Sequence, residues 1–250
     1  MSRFAVILPA AGKSSRFGDK EKKPFINLDN RAVWLRTAEL FVTREDVCQC
    51  LVVISPEDEE LFEIRYKANL AFLGIQMVLG GSERFESVAN ALAKIKEEAE
   101  FVAIHDAVRP CLMPDHINAV FAQAKTSGAA ILASPVTDTV KRVNDKKEIV
   151  ETQPRESLWL AQTPQVFRKD WLTDAYAKRN EIKAKITDDA QLIEACGHAV
   201  TVVKGDTTNI KITTKGDLAL AAAILKSRPE PKAKRPAHPF AEEEMWGGRG

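Results

Sequence analysis

As far as Ala133 the chain alternates short apolar runs with stretches whose apolar residues recur at helical spacing. The runs are Phe4-Ala5-Val6-Ile7-Leu8, Leu51-Val52-Val53-Ile54, Ile75 to Leu79, Phe101-Val102-Ala103-Ile104 and Ala129 to Ala133. Leu51 to Ile54 has no polar face, the mark of a strand buried on both sides. Between the runs, Trp34, Leu35, Ala38, Phe41 and Val42 line one helical face. Val88, Ala91, Leu92 and Ile95 line a second, and Ile117, Val120, Phe121 and Ala124 a third. Ser55 is expected to cap a helix that has Pro56 at its first position. The alternation predicts an α/β fold with a doubly wound, mostly parallel sheet.

From about residue 137 the rhythm changes. Thr139 to Val143 and Glu148 to Thr152 alternate apolar and polar residues around Asn144-Asp145-Lys146-Lys147. This predicts a β-hairpin, an arm over about 137–160 with too little core to stand alone. Ala161 to Gln165 is expected to be a polar loop. Trp171, Leu172, Ala175 and Tyr176 resume a helical face, and Ala199 to Val203 and Asn209 to Thr213 are expected strands. Thr214 and Asp217 have capping-box character ahead of Leu218, Ala222 and Leu225. The main domain is therefore expected over 1–226. Residues 227–250 carry Pro229, Pro231, Pro236 and Pro239 among mixed charges, with Phe240 and Met245-Trp246 as the apolar exceptions. That composition predicts a disordered tail.

Composition removes several function classes. A formal net charge of +1 over 250 residues gives no global pull towards nucleic acid or membrane surfaces. Cys48, Cys50, Cys111 and Cys196 have no zinc-site or C-x-x-C spacing and are expected to be free thiols. No signal peptide and no membrane-spanning run is expected, so a cytoplasmic location follows. Positive charge is instead local: Arg3, Lys13, Arg16, Lys20, Lys22 and Lys23 oppose only Asp19 and Glu21 in the first 26 residues.

That basic stretch follows the first strand and begins Pro9-Ala10-Ala11-Gly12. It is neither a Walker A loop nor G-x-G-x-x-G. Small residues followed by Arg16 and Lys23 suit a phosphate, since Arg grips phosphate oxygens as a fork and Lys as a point charge. Lys20 and Lys22 are expected on a solvated basic surface. Gly80-Gly81-Ser82-Glu83-Arg84-Phe85-Glu86-Ser87 follows the third strand, where glycine permits close ligand approach. His105-Asp106-Ala107-Val108-Arg109-Pro110 follows the fourth. Asp106 suits a hard cation beside phosphates or a turn cap, His105 is expected to be structural, and Arg109 to neutralise Asp106. Thr187-Asp188-Asp189-Ala190 reads as a helix cap. Lys211 would need an anionic partner if it faced inward. The groups cluster just after strands, where ligands bind in such sheets.

Taken in order, these motifs resemble the 2-C-methyl-D-erythritol 4-phosphate cytidylyltransferases from about residue 3 to residue 225. Pro135 to Arg142, Leu158 to Gln165, Thr187 to Ala190 and Asn209 to Thr213 complete the match. The resemblance implies a Rossmann-like sheet and a homodimer built through the arm. It implies CTP and Mg²⁺, or another divalent cation, and transfer of CMP to a sugar-alcohol phosphate with release of pyrophosphate. By position, Arg16 and Lys23 would be catalytic, stabilising charge at the attacked α-phosphate. Arg155, Lys211, Thr139 and Asp106 would position the acceptor, with Arg155 and Thr139 serving the partner's site. Asp106 would also face the metal. Pro9, Ala10, Ala11, Gly12, Gly81, Ser82 and Ser87 would bind the nucleotide.

Several departures stand out: Ser82 stands where the family often has an acidic residue or Ala, and the C-terminal tail has no counterpart. Lys22-Lys23-Pro24 places proline after the lysine rather than before it, so either lysine is a candidate for catalysis. The chain is also too short for a fused cyclodiphosphate synthase domain. A ribitol 5-phosphate cytidylyltransferase is the nearest alternative, and a molybdopterin nucleotidyltransferase shares only the style of the first loop. A dinucleotide-binding oxidoreductase is more distant, because Ser55-Pro56 stands where that class has an acidic residue. A non-catalytic regulatory module would not need both Arg16 and Lys23.

Overall fold

The computed structural model describes residues 2–12, 22–182 and 186–228. Arg16 and the proline-rich segment from 229 onward lie outside the described residues. The chain begins with β1 (Phe4–Pro9), followed by the two-residue ribbon β2 (Asn27–Leu28) and β3 (Arg31–Ala32). Next come α1 (Val33–Val42), β4 (Val47–Ile54), α2 (Glu59–Leu73) and β5 (Ile75–Leu79). They are followed by α3 (Arg84–Leu92), β6 (Phe101–Ile104), α4 (Pro114–Ser127) and β7 (Ala129–Pro135). The hairpin β8 (Val140–Val143) and β9 (Ile149–Gln153) leads into β10 (Trp159–Arg168). The chain continues through α5 (Lys169–Ala177), α6 (Asp189–Ala195), β11 (Thr201–Lys204) and α7 (Lys215–Ser227).

Seven strands form one sheet in the order β11-β7-β10-β6-β1-β4-β5. Alternate side chains on each strand enter opposite layers, as strand geometry requires. Phe4, Val6 and Leu8 pack with Trp34, Phe41, Phe62 and Phe121 under α1, α2 and α4. Ile7, Leu51, Val53, Val102 and Ile104 pack with Val88, Leu172 and Ile193 under α3, α5 and α6. The runs lacking a polar face are thus explained by helices on both faces. A smaller cluster of Leu28, Val33, Cys111, Ile212 and Ala221 seats α7.

The chain builds β1, β4 and β5 outward in one direction, then returns to place β6 on the other flank of β1. This reversal opens a crevice at the carboxyl ends of the strands. The hairpin explains the mixed sheet. Every pairing is parallel except those of β10, which runs antiparallel to both β6 and β7. A chain that leaves β7 through a hairpin can return beside it without a crossover, and only antiparallel.

Three local expectations need correction. Ala161 to Gln165 is no loop but the middle of β10, where the register slips between Ala161 and Gln165 around a cis Thr163–Pro164 peptide. Proline lacks the N–H that a central strand donates, which is why this stretch does not look like one. Asn209 to Thr213 forms no strand, although Ile212 N–H is held by the Val108 carbonyl at 2.9 Å. Ser55 precedes a short 3-10 turn, Pro56–Asp58, but does not cap it; its hydroxyl bonds to Glu57 instead. The capping box at Thr214 and Asp217 forms as expected. All four cysteines are free thiols.

Candidate active site

A cleft of about 410 Å³ lies at the carboxyl ends of β1, β5 and β6. Pro9, Ala10, Ala11 and Gly12 form one wall, and Gly81, Ser82 and Ser87 form another. Lys23, Asp106 and Lys211 also line it. Ten residues chosen from sequence therefore meet in one place. Arg84 and Thr213, not chosen, line it too. A larger cleft of about 620 Å³, lined by Glu100, Lys125, Arg168 and Trp171 among others, holds none of the chosen residues. It lies where β6 and β7 begin, the opposite end of the sheet.

The two candidate lysines have different surroundings. Lys22 Nζ lies 2.5 Å from Glu57 Oε1 and 2.7 Å from Asp58 Oδ2. Burial opposes its charge, but Asp58 and Glu57 outweigh that and raise its pKa. Lys22 is thus anchored by two carboxylates rather than solvated as expected. Lys23, in the adjoining 3-10 turn, is buried and lines the cleft. Neighbouring residues point in different directions, so the anchor on Lys22 leaves Lys23 to face the site.

Asp106 is the charged centre. Its Oδ2 lies 3.1 Å from Arg109 Nε and 3.1 Å from Lys211 Nζ. Burial alone would raise the carboxyl pKa. Lys211 and then Arg109 outweigh it and hold the group well below the usual carboxylate range. Arg109 also donates to the Asn209 carbonyl at 2.7 Å. His105 stands behind this pair, fully buried. Its Nε2 lies 3.2 Å from the Arg109 carbonyl, which can only accept, so Nε2 carries the proton. Thr163 Oγ1 accepts the Asp106 N–H at 3.1 Å and donates to His105 Nδ1 at 3.0 Å. Burial pushes the imidazole down to about 4, partly opposed by Asp106. His105 is therefore a neutral brace, in keeping with the structural role expected for it.

The Gly80 turn is tightly made from within. Gly81 N–H donates to Ser87 Oγ at 3.1 Å, and Ser87 Oγ donates to the Glu83 carbonyl at 3.1 Å. Ser82 N–H and Oγ–H each reach Glu86 Oε2 at 2.7 Å. A Cβ at Gly80 would sit 2.6 Å from Ser87 Oγ and 3.0 Å from Ala11 Cβ. At Gly81 it would sit 2.4 Å from Glu86 Cβ. The glycines are needed for this internal packing, and both serine hydroxyls help to hold the turn.

Thr139 and Arg155 are exposed on the arm, away from this cleft. The Arg155 guanidinium donates to the Thr137 carbonyl at the base of the arm. Among the described residues no three His, Cys, Asp or Glu side chains cluster as a metal cage, and no helix is long and apolar enough to cross a membrane. Sequence reasoning passed over Arg84, although its position carries a signal: a cation in the first turn of a helix opposes the macrodipole.

Known proteins match this chain over nearly its whole length. The model of the 2-C-methyl-D-erythritol 4-phosphate cytidylyltransferase family matches residues 4–227. A relative of that name from Alkaliphilus metalliredigens is 39% identical over 228 residues, covering 91% of this chain and 95% of its own. One from Rhodopirellula baltica is 40% identical over 232 residues, covering 88% and 94%. The solved 4-diphosphocytidyl-2C-methyl-D-erythritol synthase of Anaerococcus prevotii superposes with a TM-score of 0.78 at 30% identity, covering 90% and 96%. The solved 2-C-methyl-D-erythritol 4-phosphate cytidylyltransferase of Thermus thermophilus gives 0.73 at 32%, covering 90% and 100%. With the family model matched over residues 4–227 and a relative 39% identical over 91% of the chain, this chain belongs to the 2-C-methyl-D-erythritol 4-phosphate cytidylyltransferase family.

Proposed function

We propose that the cleft binds CTP and 2-C-methyl-D-erythritol 4-phosphate together and joins them by attack at the α-phosphorus. An oxygen of the acceptor phosphate forms the new P–O bond. The bond to the β-phosphate breaks, and pyrophosphate leaves with the electron pair. The acceptor phosphate is already ionised near neutral pH, so no protein base is required. The observation that carries this reading is that Lys23, Lys211, Asp106, the Gly12 loop and the Gly81 turn line one cleft. The family resemblance favours methylerythritol phosphate over ribitol phosphate and over a dinucleotide.

Each wall suits one part of the reaction. Lys23 and Arg16 stabilise charge that grows on the α-phosphate; Arg16 lies outside the described residues. Such preorganised charges are worth about 3–4 kcal/mol each in barrier height. The backbone N–H groups of Gly81, Ser82 and Glu83 are engaged inside the turn. Lys211 positions the acceptor phosphate while Asp106 orients Lys211 through their 3.1 Å pair.

The donor set suits a divalent cation of the Mg²⁺ kind. Two carboxylates, Glu83 and Asp106, line the cleft, Asp106 with Oδ2 engaged by two cations, and such ions take one or two carboxylates with the rest from phosphates and water. Bound there, the ion would supply Lewis-acid neutralisation of the triphosphate.

The arm supports a homodimer. Val143, Ile149, Val150, Trp159 and Leu160 are exposed apolar side chains, Ile149 at 64%. A second copy would cover them and bring Thr139 and Arg155 to the partner's cleft. A cytoplasmic location agrees with the family. The test is a steady-state assay with CTP and each sugar phosphate. Faster turnover of methylerythritol phosphate is expected, and faster turnover of ribitol 5-phosphate overturns the assignment.

A further inference from the structure

We propose that Arg84 is an additional phosphate-binding residue of this cleft, held ready by Asp189 and Tyr176. Arg84 is the first residue of α3 and lines the cleft. Its Nη2 donates to Asp189 Oδ2 at 2.7 Å. Asp189 is 1% exposed, and its other oxygen accepts the Tyr176 hydroxyl at 2.5 Å. Burial and the Asp189 carboxylate hold the Tyr176 phenol far above its ordinary range, so it remains a donor.

The arrangement is one-sided. A buried carboxylate fixes one end of the guanidinium, while the side chain stays 38% exposed. No other hydrogen bond joins the Arg84 side chain to the described residues. Arginine has five N–H donors in a rigid fork, matched to paired phosphate oxygens. Helix stability does not explain the residue, since a cation in the first turn opposes the macrodipole. Asp189 in turn opens α6, whose Ala190 N–H is held by Gln165 Oε1 at 3.0 Å. Gln165 belongs to β10, as does Thr163, the partner of Asp106 and His105. Arg84 is thus referenced to the same strand as the acidic centre.

The inference rests on the cytidylyltransferase reading for its ligands, whose phosphates come from the nucleotide or from the acceptor. The test uses the full chain with Arg84→Met, Arg84→Lys and Asp189→Asn. Steady-state constants for both substrates are measured, with calorimetric titration of CTP and of inorganic pyrophosphate. Arg84→Met is expected to weaken one phosphate ligand at least tenfold while the melting temperature stays within a few degrees. Weaker CTP and pyrophosphate binding identifies the nucleotide as the source; a raised KM for the acceptor alone identifies the acceptor. Arg84→Lys should recover part of the loss, and Asp189→Asn should weaken the same ligand by less. Binding and KM within twofold of wild type in folded Arg84→Met overturn the proposal. So does a loss with no ligand preference that follows melting temperature across the three variants. If the wild-type chain fails to transfer CMP, the reaction assignment falls, and the pyrophosphate titration still decides the role of Arg84.

Discussion

Acidification tests the buried imidazole behind Asp106. His105 is fully buried and its burial depresses its pKa to about 4, against about 6.5 in an unfolded chain. The folded state therefore resists a proton that the unfolded state accepts. The sign is that of a depressed basic group: stability is complete above about pH 6.5 and is lost as pH falls towards 4. At pH 5 the unfolded chain holds nearly one proton more, a slope of about 1 kcal/mol per pH unit. Between pH 7 and 4.5 the loss sums to about 2 kcal/mol, a fall of roughly 1 M in a urea midpoint. Asp106, held well below the usual carboxylate range, stabilises the fold above that range and loses this contribution only as pH falls below about 5, so the slope between pH 7 and 5 is free of it. Urea titrations at half-unit steps would read the slope, and ring-proton NMR would read the residue. His105→Gln, which can still donate to the Arg109 carbonyl, should flatten the curve above pH 4.5. A flat wild-type midpoint from pH 7 to 5, or an unchanged slope in His105→Gln, would falsify the argument.

The lysine pair gives a second test: Lys23→Ala should lower kcat by about a hundredfold or more with folding intact. Lys22→Ala should lower stability by about 1 kcal/mol and leave kcat within a few-fold; the opposite pattern in the same assays reverses the two roles. Gly80→Ala should cost about 1–3 kcal/mol by denaturation and raise KM for CTP, because its Cβ meets Ser87 and Ala11; a neutral effect means the turn gives way. Ile149→Asp on the arm should shift a dimer to monomer in sedimentation and lower activity, and an unchanged sedimentation coefficient removes the arm from assembly. Chelation by EDTA should abolish turnover and added Mg²⁺ restore it, with full activity in EDTA as the refuting result.

Sequence alone carried the two-faced sheet, because helices on both sides leave the central strands β1, β6 and β7 apolar and the pattern is local. Ile75 to Leu79 and Phe101 to Ile104 are strands at the expected positions. It also carried ten of the residues lining the cleft: Pro9 to Gly12, Gly81, Ser82 and Asp106 stand at or just past the ends of β1, β5 and β6, while Lys23, Ser87 and Lys211 lie farther from a strand end and were placed by motif order. It did not carry β10. That strand pairs only with distant partners, and Pro164 and the two glutamines remove the local signature. Nor could it separate Lys22 from Lys23, because the difference lies in Glu57 and Asp58, 35 and 36 residues away. Arg84 acquires its setting from Asp189, which is 105 residues distant. Local pattern is written by burial along one element, whereas the partners of charged side chains are chosen by which elements the fold brings together.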